Sequence, residues 1–161
     1  MKHIRIIAVA ALMLGAARIA SAQTATQTVT FDVTDNSTIS VSADPAAMSV
    51  AAGGASATNN ATTYSVVTNS TTAKKITGYI DVAMPTGTAL SVSLADPDAA
   101  GSATSAGAVS LTATTSLTAQ DLVTGITQLS SSANQITYVL SADVTAAAAT
   151  NLSRTITFTI Q

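Results

Sequence analysis

The chain has 161 residues, with six Lys and Arg, eight Asp, one His and a formal net charge of −2. It contains no Cys and no Trp, and only 3% of its residues are aromatic, which excludes a disulfide scaffold, thiol chemistry and a stacking platform for nucleic acid. Hydrophobic residues make up 47% of the chain, enough for one domain to bury a core of its own.

The first 22 residues have the pattern of a secretory signal peptide. Basic residues, among them Lys2 and Arg5, precede an apolar run over 6–17, and Ala20–Ala22 is a small-residue cleavage site. An uncleaved membrane anchor is the alternative, but Arg18 ends the apolar run short of the ~18–20 residues that a span needs. The sequence therefore predicts a cleaved signal at 1–22 and a single mature domain at 23–161. That domain would be secreted, through the periplasm if the host has one, to the extracellular space or the cell surface.

Removal of the signal changes the available chemistry. The only histidine, His3, leaves with it, and the chain has no Glu, so the mature part has no Ser-His-Asp or Cys-His site and no nitrogen or sulfur ligands for zinc beyond Met. Three of the six cations leave as well, which makes the mature chain more acidic and without a basic stripe for nucleic acid. We expect a non-enzymatic protein without a cofactor. An active site built from Asp stays open as the alternative.

Apolar and polar residues alternate with a period of two along the mature chain, the pattern of half-buried strands. The first such strand is Gln27–Val33 and the last is Arg154–Ile160. The in-phase apolar residues of these two terminal strands are Val29, Phe31, Val33, Ile156, Phe158 and Ile160. Between them, strands are predicted near 37–42, 62–68, 75–84, 88–95, 109–111, 125–129 and 135–142.

The connections between these strands are short and rich in small residues. Loops are predicted at 51–61 and 96–107, and Ser116 is a candidate cap for a short turn of helix over Leu117–Val123. About eight or nine short strands predict an all-β protein, an antiparallel two-sheet β-sandwich of immunoglobulin-like or pilin-like type. An up-and-down barrel is the competing architecture.

Two further features are candidate binding sites. Asp96 and Asp98 place two carboxylates on one loop, as a calcium site would, but the absence of further ligands favours a plain proline turn. Tyr79 is out of phase with the apolar residues of its strand, which predicts an outward ring able to stack on a sugar. Tyr64 and Tyr138 share the phase of core residues and are expected to be half-buried.

The layout of the mature chain resembles that of exported pilin-like subunits, the chaperone–usher pilins and the related spore coat protein U group. The shared features are a signal peptide, a small Thr/Ala/Val-rich sandwich, an alternating N-terminal strand and a strand at the C-terminus. The pilin Cys pair is absent, and Ile160 stands where many pilins have a penultimate Tyr. The resemblance implies that Val29, Phe31 and Val33 insert into a neighbouring subunit, beside the strand of Ile156, Phe158 and Ile160.

Two functions follow as hypotheses. The first is a structural subunit of an extracellular fibre, coat or matrix, a fimbria-like assembly that self-associates or joins related surface subunits by edge-strand pairing. The second is a secreted adhesin module that binds carbohydrate or another surface ligand through loops and Tyr79. A third possibility is that the first strand pairs within its own molecule and completes the sandwich. The protein would then be a monomer or a surface protein that associates laterally.

Overall fold

A computed structural model describes residues 23–111 and 119–161 of the chain. This part is all-β, with nine strands and no helix. The strands are β1 (Ser37–Val41), β2 (Ala57–Thr68), β3 (Lys74–Ile80), β4 (Thr88–Leu94), β5 (Thr104–Ser105), β6 (Val109–Ser110), β7 (Gln120–Ile126), β8 (Leu129–Ala142) and β9 (Ile156–Ile160). No helix in the described residues is long and apolar enough to cross a membrane.

The strands form two antiparallel sheets, which confirms the predicted fold class. One sheet has five strands in the order β1-β2-β8-β4-β6, and the other has four in the order β5-β7-β3-β9. Every strand pairing is antiparallel. In the four-stranded sheet, β9 pairs with β3 on one side and is the last strand on the other.

The core consists of the inward residues of both sheets, because a strand presents every second side chain to the same face. The fully buried side chains include Tyr64, Val66, Ile76, Val92, Leu94, Leu122, Val123, Ile126 and Ile136. Tyr64 is 1% exposed and Tyr138 is 5% exposed, so both are buried more deeply than the sequence suggested. The Tyr64 hydroxyl donates a hydrogen bond to the Ala95 carbonyl at 2.5 Å, which satisfies its polar end inside the core.

Several sequence predictions inside the sandwich are wrong. The predicted strand 125–129 covers the connection between β7 and β8, and the predicted loop 96–107 contains β5. Two further errors have the same physical cause. The predicted helical turn lies partly outside the described residues, but its Gln120–Val123 portion belongs to strand β7. The predicted loop 51–61 contains the start of β2, because Ala57, Thr58 and Asn59 pair with the end of β8. In both places pairing with a neighbouring strand outweighs local propensity, which is a weak determinant in sheets.

The chain divides into two units, residues 1–32 and 33–161. The described part of the first unit, residues 23–32, lies in no strand and is exposed. The predicted strand Gln27–Val33 is therefore wrong for the isolated chain: Val29 is 74% exposed, Phe31 78% and Val33 78%. Alternating apolar and polar residues give a segment one apolar and one polar face. The segment becomes a strand only where a neighbouring strand accepts its backbone hydrogen bonds.

Candidate functional site: the groove beside the terminal strand

The free side of β9 presents hydrogen-bonding groups that follow from its register with β3. Lys75 and Gln161 exchange both backbone hydrogen bonds, at 2.9 and 3.0 Å. Because bonded pairs alternate along an antiparallel ladder, Thr159 and Thr157 also bond to β3. The N–H and C=O groups of the residues between them, Ile156, Phe158 and Ile160, point to the free side.

The same three residues face the core with their side chains. Ile156, Phe158 and Ile160 are half-buried and pack against the buried cluster of the sandwich. This agrees with the inward phase predicted for them. An edge strand with an apolar inner face and unpaired backbone groups is a template for a further strand.

A groove of about 850 Å³ opens beside β9. Its floor is formed by inward residues of β4, β8 and β9, and its walls by the segments 41–52 and 146–154. The larger apolar residues that line it include Met48, Met84, Leu90, Ile136, Leu140, Ile156 and Phe158. The groove ends within the sandwich: Thr62 on β2 and Phe158 on β9 line it, but the next inward residues, Tyr64 and Ile160, do not.

Two buried polar side chains stand at the floor of this apolar groove. Thr62 is 6% exposed, and its Oγ1 atom is buried without a hydrogen-bond partner among the described residues. Tyr138 also lines the groove, and burial raises the pKa of its hydroxyl, while the nearby Thr62 hydroxyl lowers it. The two hydroxyls are close enough to interact, but they form no hydrogen bond of regular geometry. A buried polar group without a partner is costly and uncommon in native proteins.

Two side chains hold the backbone around the start of β9. Asp81 Oδ1 accepts hydrogen bonds from the N–H groups of Thr155 and Val82, both at 2.9 Å. These bonds, with that from Thr155 the larger cause, lower the pKa of the Asp81 carboxyl. Arg154 Nε donates to the Ala83 carbonyl at 3.1 Å. The entry to β9 is thus tied to the end of β3.

The three cations near the site differ in whether a carboxylate pairs with them. Lys74 pairs with Asp35 at 3.5 Å, and Lys75 pairs with Asp121 at 2.8 Å. Within residues 23–111 and 119–161, Arg154 has no carboxylate partner and lies in the lining of the groove. Asp44 also lines the groove, so its lining contains one positive and one negative side chain.

The other sequence candidates lie away from the groove. Tyr79 is 36% exposed on the outer face of β3, opposite Thr157, as its phase predicted. Asp96 Oδ1 accepts a hydrogen bond from the Asp98 N–H at 2.9 Å, which is an Asx turn around Pro97. No three acidic or His side chains cluster as metal ligands in the described part of the chain.

Sequence reasoning identified the apolar residues of β9 but missed Thr62 and Tyr138 as parts of the same site. A threonine on a strand is ordinary in so Thr-rich a sequence, and only the pairing of β2 with β8 brings it beside Tyr138. The in-phase position of Thr62 with Tyr64 and Val66 was the one available signal that its hydroxyl points inward.

Comparisons with protein-family models, with curated proteins and with solved structures found no match to this chain.

Proposed function

We propose that the mature chain, residues 23–161, is a non-enzymatic structural subunit of an extracellular fibre, coat or matrix. In this proposal the N-terminal segment, Gln23–Val33, of one copy adds a strand to the free side of β9 in the next copy. One observation carries it: an alternating segment with an exposed apolar face occurs in the same chain as an unpaired strand edge beside an apolar groove. Export through the predicted signal at 1–22 is part of the proposal.

The two surfaces are complementary in pattern. Val29, Phe31 and Val33 share one phase and would face the groove when the segment is extended along β9. The residues of the opposite phase, Thr28, Thr30 and Asp32, would face outward as the threonines of β9 do. Such strand addition combines backbone hydrogen bonds with side-chain pockets at alternate positions.

The energetics favour burial of this segment. Large apolar side chains that are mostly exposed lose much of their contact with water when a partner covers them, and full burial of each contributes about 1.5–3 kcal/mol. The three side chains are 74–78% exposed in the chain by itself. An exposed apolar stripe is a usual mark of an interaction site. Burial of these three side chains in a neighbouring copy would explain why the segment carries them.

A matched pair of substitutions tests the proposal. Phe31→Asp places a charge on the inward face of the N-terminal segment, and Thr30→Asp places the same charge on its outward face. Size-exclusion chromatography with light scattering, followed by negative-stain microscopy of the mature chain, should show oligomers or filaments for the wild type and Thr30→Asp. Phe31→Asp should assemble at least about 100-fold less well, because the burial of the aromatic ring is lost and a carboxylate must give up its water on entering the groove.

Deletion of Gln23–Val33 provides the second arm of the test. It should abolish assembly without abolishing secretion when the signal is kept. A wild-type mature chain that remains a monomer at all concentrations would contradict the proposal, as would equal assembly of the two Asp variants.

A further inference from the structure

We infer that Gln27 sets the register of the added strand, by placing its side-chain amide against the hydroxyls of Thr62 and Tyr138 at the inner end of the groove. This inference rests on the proposed function and names the contact that makes strand addition specific. It assigns a partner to the unsatisfied Thr62 hydroxyl.

Gln27 belongs to the apolar face of the N-terminal segment. Gln27 lies two residues before Val29 and so belongs to the face that enters the groove. Among the in-phase residues from Ala25 to Val33, it is the one with a hydrogen-bonding side chain. An amide can donate and accept at once, so one Gln can serve two neighbouring hydroxyls.

The hydroxyls of Thr62 and Tyr138 fix where along the groove Gln27 would lie. Thr62 is the residue of β2 that lines the groove, and Phe158 is the last residue along β9 that does. A Gln27 amide at this end places Gln27 beside Phe158. The rest of the groove extends from there past Ile156 to Arg154.

The lining of the groove also determines in which direction the added segment runs along β9. If the segment runs antiparallel to β9 from that starting point, Val29 lies beside Ile156 and Phe31 beside Arg154, inside the groove. If it ran parallel, Val29 would lie beside Ile160, which does not line the groove.

The register is tested by disulfide trapping, which the absence of Cys in the chain makes unambiguous. In this register Thr28 lies opposite Thr157, on the outer face of the added strand and of β9. The double variant Thr28→Cys/Thr157→Cys of the mature chain should form disulfides under mild oxidation, because directly opposed strand residues meet the distance requirement. The matched control Thr28→Cys/Thr155→Cys, displaced by two residues, should not.

The contact itself is tested by a double-mutant cycle on assembly. Gln27→Leu and Thr62→Val should each weaken assembly about tenfold, because each leaves a polar partner buried alone. Gln27→Leu combined with both Thr62→Val and Tyr138→Phe should recover to within about threefold of the wild type, because all three groups of the contact are then apolar. Tyr138→Phe provides a second route to the same readout if Thr62→Val is poorly folded, and Thr28→Leu is the outward control.

The outcomes separate the inference from the function on which it rests. Additive effects in the cycle, or trapping of the displaced cysteine pair, would overturn the role of Gln27 while Phe31→Asp still blocked assembly. A Thr28–Thr157 disulfide formed within one chain would support the register and overturn the intermolecular function. A wild-type chain that neither assembles nor traps would overturn both.

Discussion

At the scale of single residues, Gly78 shows how closely the two neighbours of β3 approach it. A Cβ atom built on Gly78 would lie 2.6 Å from Leu122 Cδ1 and 3.6 Å from Phe158 Cδ1. Leu122 is fully buried, so it has little room to move. The glycine therefore allows β7 and β9 to pack their large side chains over the middle of β3.

We expect Gly78→Ala to destabilise the fold by about 1–3 kcal/mol, the usual cost of overpacking a core. Thermal or denaturant unfolding of the mature chain measures the change. Gly107→Ala is not a suitable control, because Gly107 has a positive φ of 74°; Ala106→Ser, an exposed change outside a strand, is suitable. Equal stability of Gly78→Ala and the wild type would show that Leu122 can repack.

Asp81 is the residue whose charge matters most for the start of β9. Its carboxyl pKa is lowered from the ordinary 3.8 by hydrogen bonds from Thr155 and Val82. A group with a lowered pKa in the folded state contributes stability that is fully present above its unfolded pKa. That contribution is lost as the pH falls through the folded value.

Between pH about 4 and about 2, the melting temperature of the wild type should therefore fall more steeply than that of Asp81→Asn. The measurement is a series of thermal melts across this range. Asp32→Asn, in the exposed N-terminal segment, should follow the wild type. Parallel curves for the wild type and Asp81→Asn would refute a role for this carboxylate in acid unfolding.

At the scale of strands, the sequence predicted most of the sandwich and failed where pairing decides the structure. The strong alternation of β4 and β9 was sufficient to place them and their inward faces. The Asn-rich start of β2 and the stretch Gln120–Val123 become strands because β8 and β3 accept their hydrogen bonds. Gln27–Val33 alternates as clearly as β9 does but has no such partner in the isolated chain. For the same reason Thr62 and Tyr138 could not be joined into one site from sequence alone.

The register of β9 gives an alternating pattern of amide hydrogen exchange. In the monomer, the N–H groups of Thr157 and Thr159 bond to β3 and should exchange slowly, whereas those of Ile156 and Phe158 face the open side and should exchange fast. Strand addition should protect the second pair and leave the first unchanged. The measurement is residue-resolved exchange by NMR on the Phe31→Asp monomer and on the wild-type assembly after dissolution. Fast exchange of Ile156 and Phe158 in the assembly would show that β9 remains an open edge there.

At the scale of the whole molecule, the proposed subunit is a small acidic sandwich, and the surface by which we propose that it joins the next copy is apolar. Its described cations are Lys74, Lys75 and Arg154, far fewer than its eight Asp residues. Like charge keeps separate copies apart at long range, while burial of Val29, Phe31 and Val33 acts only at contact. Added salt weakens the repulsion between like charges, and it does not weaken the burial of apolar side chains.

Assembly should therefore become faster as NaCl rises from about 10 mM to about 150 mM, because the screening length falls from about 30 Å to about 8 Å. Sulfate at equal ionic strength should promote assembly further, since it strengthens the burial of apolar surface. Light scattering of the mature chain over time measures both effects, with Phe31→Asp as the variant that should respond to neither. Assembly that slowed as NaCl rose would mean that charge pairing between copies contributes more than the apolar face.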